Sequence, residues 1–558
     1  MRLTLYCTFS RVASTSPHAK LCRNHALLTR RCYSDATNRT YDDAINLLNT
    51  LQTPYAELKR QWDSGIKRGA EDLQHTKTCL SRLGYTGKDL NKLNVIHVAG
   101  TKGKGTVCAY VESILAQYQS WALSVPSNDP TRTRTLPPAR PRSIGLYTSP
   151  HLISVRERIR LNSAPISEEL FTKYFFQVWD KLCVPSELEN DSVFPKPVYF
   201  RFLTLMSFHV FLSESVDVAI YETGMGGEYD ATNVVERPLV TGISALGIDH
   251  TFHLGNSVEE IAWHKAGIFK KFVQAYTVQQ PPAAMAVLSK RAHSIKVGGF
   301  RIVEENPLLQ GVKIRPNEPF QRQNASLAIA LSKYALIKLN PKRRVFPRPE
   351  DGLSKEIVPL PEKIVRGLEQ VVSRGRCETK IDGNVTWYLD GAHTADSIVI
   401  ASKWFCDKVA DKPEPRVLIF NQQGHRESME LMEDLFASTK GRSKFDHVIF
   451  CPSVPPASST RKDHVNFQTD LEAVASLTVQ QKFADRWREL DSSQETTITV
   501  LHSLEEAFEY VKRIETHDNS EAGQEIAGER QKARVFITGS IHLVGRALGM
   551  LEGGIDAL

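Results

Sequence analysis

Short apolar runs alternate with amphipathic stretches along most of this chain, beginning at YDDAINLLN (41–49). LNVIHVAG (93–100), SIGLYTS (143–149), VDVAIYETG (216–224) and PLVTGISALG (238–247) are runs that stop at Gly or a small polar residue. They predict buried strands. Between them, 104–118, 167–182, 199–213 and 257–269 carry apolar residues at helical spacing, and NASLAIALSKYALIKL (324–339) predicts another long helix. Such alternation predicts a parallel, doubly wound sheet, with ligands at the carboxyl ends of its strands.

Residues 340–368 are rich in Pro, Lys and Arg and read as a linker. A second series follows: TWYLDGAH, RVLIFNQQG, FDHVIFCP, TITVLHS and ARVFITGS predict strands with helices between them. The fold class is therefore α/β, a larger P-loop domain with a mostly parallel sheet and a smaller, Rossmann-like carboxyl-terminal domain. Three polar segments, 124–143, 452–466 and 515–534, read as surface insertions, and there is no internal repeat.

Composition narrows the picture. The chain has 558 residues, 41% hydrophobic and 24% charged, which excludes low-complexity disorder. Its most apolar stretch, Phe202 to Leu212, is too short to span a membrane and contains His209. Nine cysteines form no CxxC pair, so neither a zinc ribbon nor a disulfide scaffold is indicated. Residues 1–34 hold six Lys or Arg and no acid; the rest of the chain has 64 basic against 63 acidic residues. The body is nearly neutral, which gives no sign of nucleic-acid binding. The leader, rich in Arg, Ser and Thr without a continuous apolar core, has the composition of a mitochondrial transit peptide. The expected division is a transit peptide at 1–34, a larger α/β domain at 35–365 and a smaller carboxyl-terminal α/β domain at 366–558.

VIHVAGTKGKGTVCAYVESIL carries the clearest chemistry. A strand runs through Gly100-Thr-Lys-Gly-Lys-Gly-Thr106 into a helix. Glycines let backbone N–H groups face an anion, and the helix start adds positive potential. Lys104 can reach a β- or γ-phosphate, and Thr106 can ligate magnesium. The strict P-loop pattern is broken, because Gly105 separates Lys104 from Thr106. Other strand ends offer ligands: Ser149 and His151, Glu222, and Asp249 with His250. In a parallel sheet these ends share one edge, and oxygen ligands suit magnesium, with one imidazole tolerable. Lys265, within NSVEEIAWHKAGIFKK, reads by spacing alone as a solvated charge in mid-helix.

GTKGKGT, YTSPHL with RERIRLN, YFRFLTLMSFHVF, ETGMGGEYDATN, GIDHTFHLG, HKAGIFK, YLDGAHT and TGSIHLVG occur in this order. In them the chain resembles the folylpolyglutamate synthases of eukaryotic, mitochondrial type, a branch of the Mur ligase superfamily, from about residue 40 to the carboxyl end. That family has the shorter GxxGKG[ST] loop. The resemblance implies that Gly103, Lys104, Gly105 and Thr106 hold ATP phosphates, and that Ser149, Glu222 and His250 bind magnesium. It implies that Lys265 is a carbamylated ligand of a second magnesium, that Asn324, at a helix start, and Asp390 contact nucleotide, and that Arg376 reaches the phosphates from the second domain. His393 and Ser540 would lie in the cleft near incoming glutamate, His393 with a catalytic role beside Lys104 and Lys265. One departure stands out: the family's Pro-Gly-Arg is Arg374-Gly375-Arg376 here.

The implied activity is ATP-dependent addition of L-glutamate to the γ-carboxylate of tetrahydrofolate and its polyglutamates, through an acyl phosphate. Magnesium, and a monovalent cation such as potassium, would assist. The expected enzyme is a monomer without nucleic-acid partners or membrane insertion, in the mitochondrial matrix or on the inner membrane, with the cytoplasm as a second site. The rival readings are a dihydrofolate synthase and a non-catalytic nucleotide-binding protein.

Overall fold

The computed structural model describes residues 39–123, 139–184, 195–343, 345–346, 359–422, 427–453, 463, 471–493, 495–517 and 533–553. The leader and most of the three polar insertions lie outside the described residues.

Two sheets organise the chain. The first contains β1 (Ile96–Ala99), β2 (Ile144–Tyr147), β3 (Ile159–Leu161), β4 (Ala164–Pro165), β5 (Val218–Glu222), β6 (Val240–Ile243), β7 (Gln274–Val278) and β8 (Gly299–Val303), in the order β4-β3-β2-β5-β1-β6-β7-β8. From β2 to β8 every pairing is parallel, while β3 and β4 form an antiparallel edge. The period of two assigns the two faces. Ile96, Val98, Leu146, Ile220 and Val240 pack under the helices Lys104–Leu123 and Pro319–Leu339. Tyr147, Ala219 and Tyr221 point to the opposite face, into an aromatic layer with Phe171, Phe175, Phe202 and Phe208. The apolar run at 202–212 is thus a buried helix, Tyr199–Ser213. No described helix is long and apolar enough to cross a membrane.

The second sheet contains β9 (Glu378–Asp382), β10 (Val385–Leu389), β11 (Arg416–Phe420), β12 (His447–Phe450), β13 (Thr497–Val500) and β14 (Arg534–Thr538), in the order β13-β12-β11-β14-β10-β9. Only β9 runs antiparallel. It is an exposed edge, with Ile381 77% exposed, so no apolar run announced it.

Three local expectations change. Within the stretch read as a linker, Glu362–Glu369 is a helix, and its Ile364 and Leu368 join the first sheet's core. The expected boundary at 365/366 falls inside it. Asn324 does not start a helix, because its helix begins five residues earlier at Pro319. Finally, Asp463, in a segment read as surface insertion, is buried.

The lobes dock through the loop after β2. Leu152 and Ile153, from the first lobe, sit in the second lobe's core with Leu543, Val544 and Leu548. Gly545 makes this possible: a Cβ there would lie 1.9 Å from the Leu152 carbonyl oxygen.

Candidate active site

The parallel register decides which strand ends meet. Val98 of β1 is level with Glu222 of β5 on one side and Gly242 of β6 on the other. The loop after β1 therefore lies between Glu222 and the segment after β6. Thr101 and Lys102 donate backbone N–H bonds to the Ala245 carbonyl, at 2.9 and 3.1 Å. Gly103, at φ +83°, turns the chain into the helix that starts at Lys104, and a Cβ on it would stand 2.3 Å from Asn324 Oδ1. Asn324 thus lies directly against the loop although it is not at a helix start. Thr106 is in the first turn of that helix.

Two lysines share one acceptor. Lys104 Nζ donates to Gly100 O at 3.0 Å, and Lys265 Nζ donates to the same oxygen at 2.7 Å. Lys265 is the last residue of its helix, Val258–Lys265, and is 1% exposed, not a solvated charge in mid-helix. Burial, then repulsion from Lys104, lowers its pKa to about 7. A buried amine near neutrality is partly unprotonated, the state that reacts as a nucleophile.

Glu222 is also buried. Its Oε2 accepts the Ser149 backbone N–H at 3.0 Å. Burial raises its pKa, while Lys104 and the Ser149 N–H act in the opposite direction. His250 adopts φ +50° and stands 3.6 Å from Asp249. Desolvation lowers its pKa to about 4, opposed by Asp249 and reinforced by Lys104 and Lys265. Lys104 is thus within electrostatic reach of both Glu222 and His250. Ser149, Glu222, His250 and Lys265 gather around the loop. Among the described residues, no group of three or more His, Cys, Asp or Glu forms a ready-made metal cage.

The second lobe supplies the facing wall. Asp390 follows β10, is buried, and accepts the Cys377 N–H at 2.7 Å. Arg376 Nη1 is 3.9 Å from the other Asp390 oxygen. The Arg374-Gly375-Arg376 turn is held without a proline: Gly375 takes φ +64°, and Arg374 is anchored to Glu378 at 3.1 Å and Glu552 at 2.8 Å. His393 Nδ1 is 3.0 Å from Gly391 O. Desolvation and Arg376 lower its pKa, and the carboxylate of Asp249 on the first lobe pulls it back up. Ser540 caps the helix Ile541–Leu551, its oxygen accepting the His542 N–H at 3.3 Å. Lys102 of the phosphate loop pairs with Asp396 of the second lobe.

Four residues of this cleft carried no sequence assignment: Arg158, His542, Asp463 and Asp396. Arg158 lies within RERIRLN, and His542 within TGSIHLVG, but neither motif separates a ligand-facing side chain from a packing one.

No family model matches the chain. It is 48% identical to folylpolyglutamate synthase of Neurospora crassa over 559 residues, covering 98% of each chain. It is 40% identical to folylpolyglutamate synthase of Saccharomyces cerevisiae, covering 92% of this chain and 87% of that one. Among solved structures, the Mycobacterium tuberculosis folylpolyglutamate synthase complexed with ADP and AMPPCP matches with a TM-score of 0.59 at 22% identity, covering 89% of this chain and 98% of that one. Escherichia coli FolC in complex with DHPP and ADP matches at 0.57 and 18%, covering 90% and 99%. These last two likenesses concern the fold. With nearly half its residues identical to the Neurospora protein across almost the full length of both, the chain belongs to the folylpolyglutamate synthase family.

Proposed function

We propose that this chain is an ATP-dependent ligase that adds L-glutamate to the γ-carboxylate of tetrahydrofolate and of its polyglutamates. The observation that carries the reading is that the first lobe faces the second across one cleft, Lys102 of the phosphate loop pairing with Asp396 and Asp249 acting on His393, beside the Arg376–Asp390 pair. A carboxylate is a poor acyl donor, and phosphorylation by ATP gives it a leaving group. The folate γ-carboxylate attacks the terminal phosphorus, ADP departs, and the glutamate amine displaces phosphate from the acyl carbon. Catalysis of phosphoryl transfer is mainly positioning and charge neutralisation.

Each group has a part in that scheme. Backbone N–H groups of Gly103, Lys104, Gly105 and Thr106 cradle the phosphates, and Lys104 Nζ turns from Gly100 O toward them. Asn324 and Asp390 contact the nucleotide, and Arg376 neutralises charge from the second lobe. His393 and Ser540 lie where the incoming amino acid enters. Because the two walls belong to different lobes, closure assembles the site and excludes water that would hydrolyse an acyl phosphate.

The residues present fit magnesium. Burial leaves Glu222 with a raised proton affinity, so a nearby cation relieves it. Oxygens of Ser149, Glu222 and Thr106, with the imidazole of His250, suit an ion that completes its shell with phosphates and water. When bound, magnesium supplies charge neutralisation at the transferred phosphoryl group. Lys265, carbamylated through its depressed amine, would hold a second magnesium, and a monovalent cation such as potassium assists. The enzyme acts as a monomer. The acid-free basic leader supports delivery to the mitochondrion, in the matrix or on the inner membrane, with a cytoplasmic fraction besides.

Product mass analysis tests the reading. Incubation with ATP, magnesium, potassium, glutamate and tetrahydrofolate should yield folates longer by whole glutamyl residues, with one ADP per bond. Extension of dihydropteroate but not tetrahydrofolate would transfer the assignment to dihydrofolate synthesis. ADP release that ignores both acids would end the ligase reading.

A further inference from the structure

The RER segment after the docking loop contains two arginines with different fates. Glu157 accepts the backbone N–H groups of Leu152, Ile153 and Ser154 at 2.9, 2.8 and 2.8 Å, which fixes the loop. Arg156 has its terminal nitrogens taken up by structure: Nη1 donates to Ile166 O at 3.1 Å, and Nη2 stands 3.9 Å from Glu168. Arg158 is 9% exposed, yet among the described residues no carboxylate comes within ion-pair distance of it. Its Nε donates to His151 Nδ1 at 2.9 Å, and its guanidinium lies 5.4 Å from the Tyr199 ring centre. No hydrogen bond among the described residues uses its two terminal nitrogens, and neither is sealed from solvent.

A buried arginine left without an anion is costly unless a ligand supplies one. The aim of this one is fixed from both lobes. Arginine can only donate and a carbonyl can only accept, so His151 accepts at Nδ1 and donates its Nε2–H to the Asp463 carbonyl at 3.2 Å. Asp463 belongs to the second lobe. Its carboxylate in turn accepts from Tyr41 Oη at 3.1 Å, Ser154 Oγ at 3.3 Å and Val155 N at 3.0 Å. The charge of Arg158 acts on Glu222 of the first lobe and on His542 of the second. Desolvation in the crevice, then Arg158 and the adjacent His393, lower the His542 pKa to about 4, although the residue still meets solvent in the open cleft. Arg158 is therefore within electrostatic reach of both the Glu222 carboxylate and His542 of the second lobe.

We propose that Arg158 is a substrate-binding residue that takes a carboxylate of one of the two acid substrates, with His393 and His542 closing over it from the second lobe. A planar fork matches a carboxylate better than a point charge does. The inference rests on the ligase reading above. The incoming amino acid and the folate tail both offer carboxylates, and kinetics separates them. Arg158→Gln in the full chain should raise KM for glutamate or for the folate about ten- to hundredfold, as expected for a lost charge-assisted hydrogen bond. KM for ATP should not change, and the melting temperature should stay close to wild type. The substrate whose KM moves is the one held. Unchanged KM for both acids, a parallel rise in KM for ATP, or a fall in kcat alone would overturn the proposal. Should Arg158→Gln fail to fold, Arg158→Lys carries the same test, with the KM shift in the same direction and the same overturning results. An inactive wild-type chain would instead sink the ligase reading, and this inference with it.

Discussion

The two walls of the cleft are built differently. On the first lobe, Lys104, Lys265 and Glu222 are held by backbone groups of the site itself, Gly100 O and the Ser149 N–H. On the second lobe, Arg376 and His393 remain exposed in the cleft, and only Asp390 behind them is buried. One wall is held in place by its own backbone before any ligand arrives. The other presents exposed side chains whose value depends on lobe position. Preorganised donors cost no reorganisation during reaction, whereas groups recruited by closure couple chemistry to correct substrates.

Substitutions should expose that asymmetry. Lys104→Ala removes the central charge of the first wall, and turnover should fall on the order of 10²–10³-fold or more. Circular dichroism should stay native, because the lysine is tied only to loop carbonyls. Wild-type-like turnover would take the loop out of the mechanism. Arg376→Ala should cost about 10²-fold in kcat with an unchanged melting temperature, since the side chain is exposed. A similar loss of thermal stability would show that the second wall is also structural.

Smaller effects test the framework. Gly103→Ala forces an L side chain to φ +83° and into Asn324, which should destabilise the fold by about 1–3 kcal/mol in denaturant unfolding. An unaltered midpoint would mean the loop reshapes freely. His97, fully buried in β1 with Nε2 2.8 Å from Thr232 Oγ1, has its pKa lowered to about 3 by burial and then by Lys270. Between about pH 3 and 6.5 the unfolded chain binds a proton there that the folded chain does not. Stability should therefore fall as pH drops through that window, by about 1.4 kcal/mol per pH unit from this residue. His97→Gln should remove one proton's worth of slope, and an identical slope in the variant would exclude the residue. The smallest effect belongs to the exposed Lys102–Asp396 bridge. Asp396→Asn should leave the melting temperature unchanged and weaken only salt-sensitive lobe closure. A clear drop in melting temperature would make it a structural clamp.

Much of this architecture was legible one segment at a time. The Gly-rich turn between a buried strand and a helix is a local signal, and so is a small or polar residue ending each apolar run. These marked Gly103, Lys104, Ser149, Glu222 and His250, whereas Arg376 and Asp390 were indicated only by the resemblance to the folylpolyglutamate synthases. The edge strand β9 and the helix Glu362–Glu369 escaped because each takes its role from a neighbour, not from its own periodicity.

What sequence alone could not determine is adjacency. That Glu222 lies beside the phosphate loop follows from β5 pairing with β1, a contact between residues more than a hundred positions apart. That Lys265 is buried against Gly100, and not solvated on a helix, follows from where its helix ends. Arg156 and Arg158 are the same residue type two positions apart, and only the packed loop decides that the terminal nitrogens of one meet protein acceptors while those of the other do not. Local pattern records what a segment can bury, while pairing, docking and the partners left over depend on segments far along the chain.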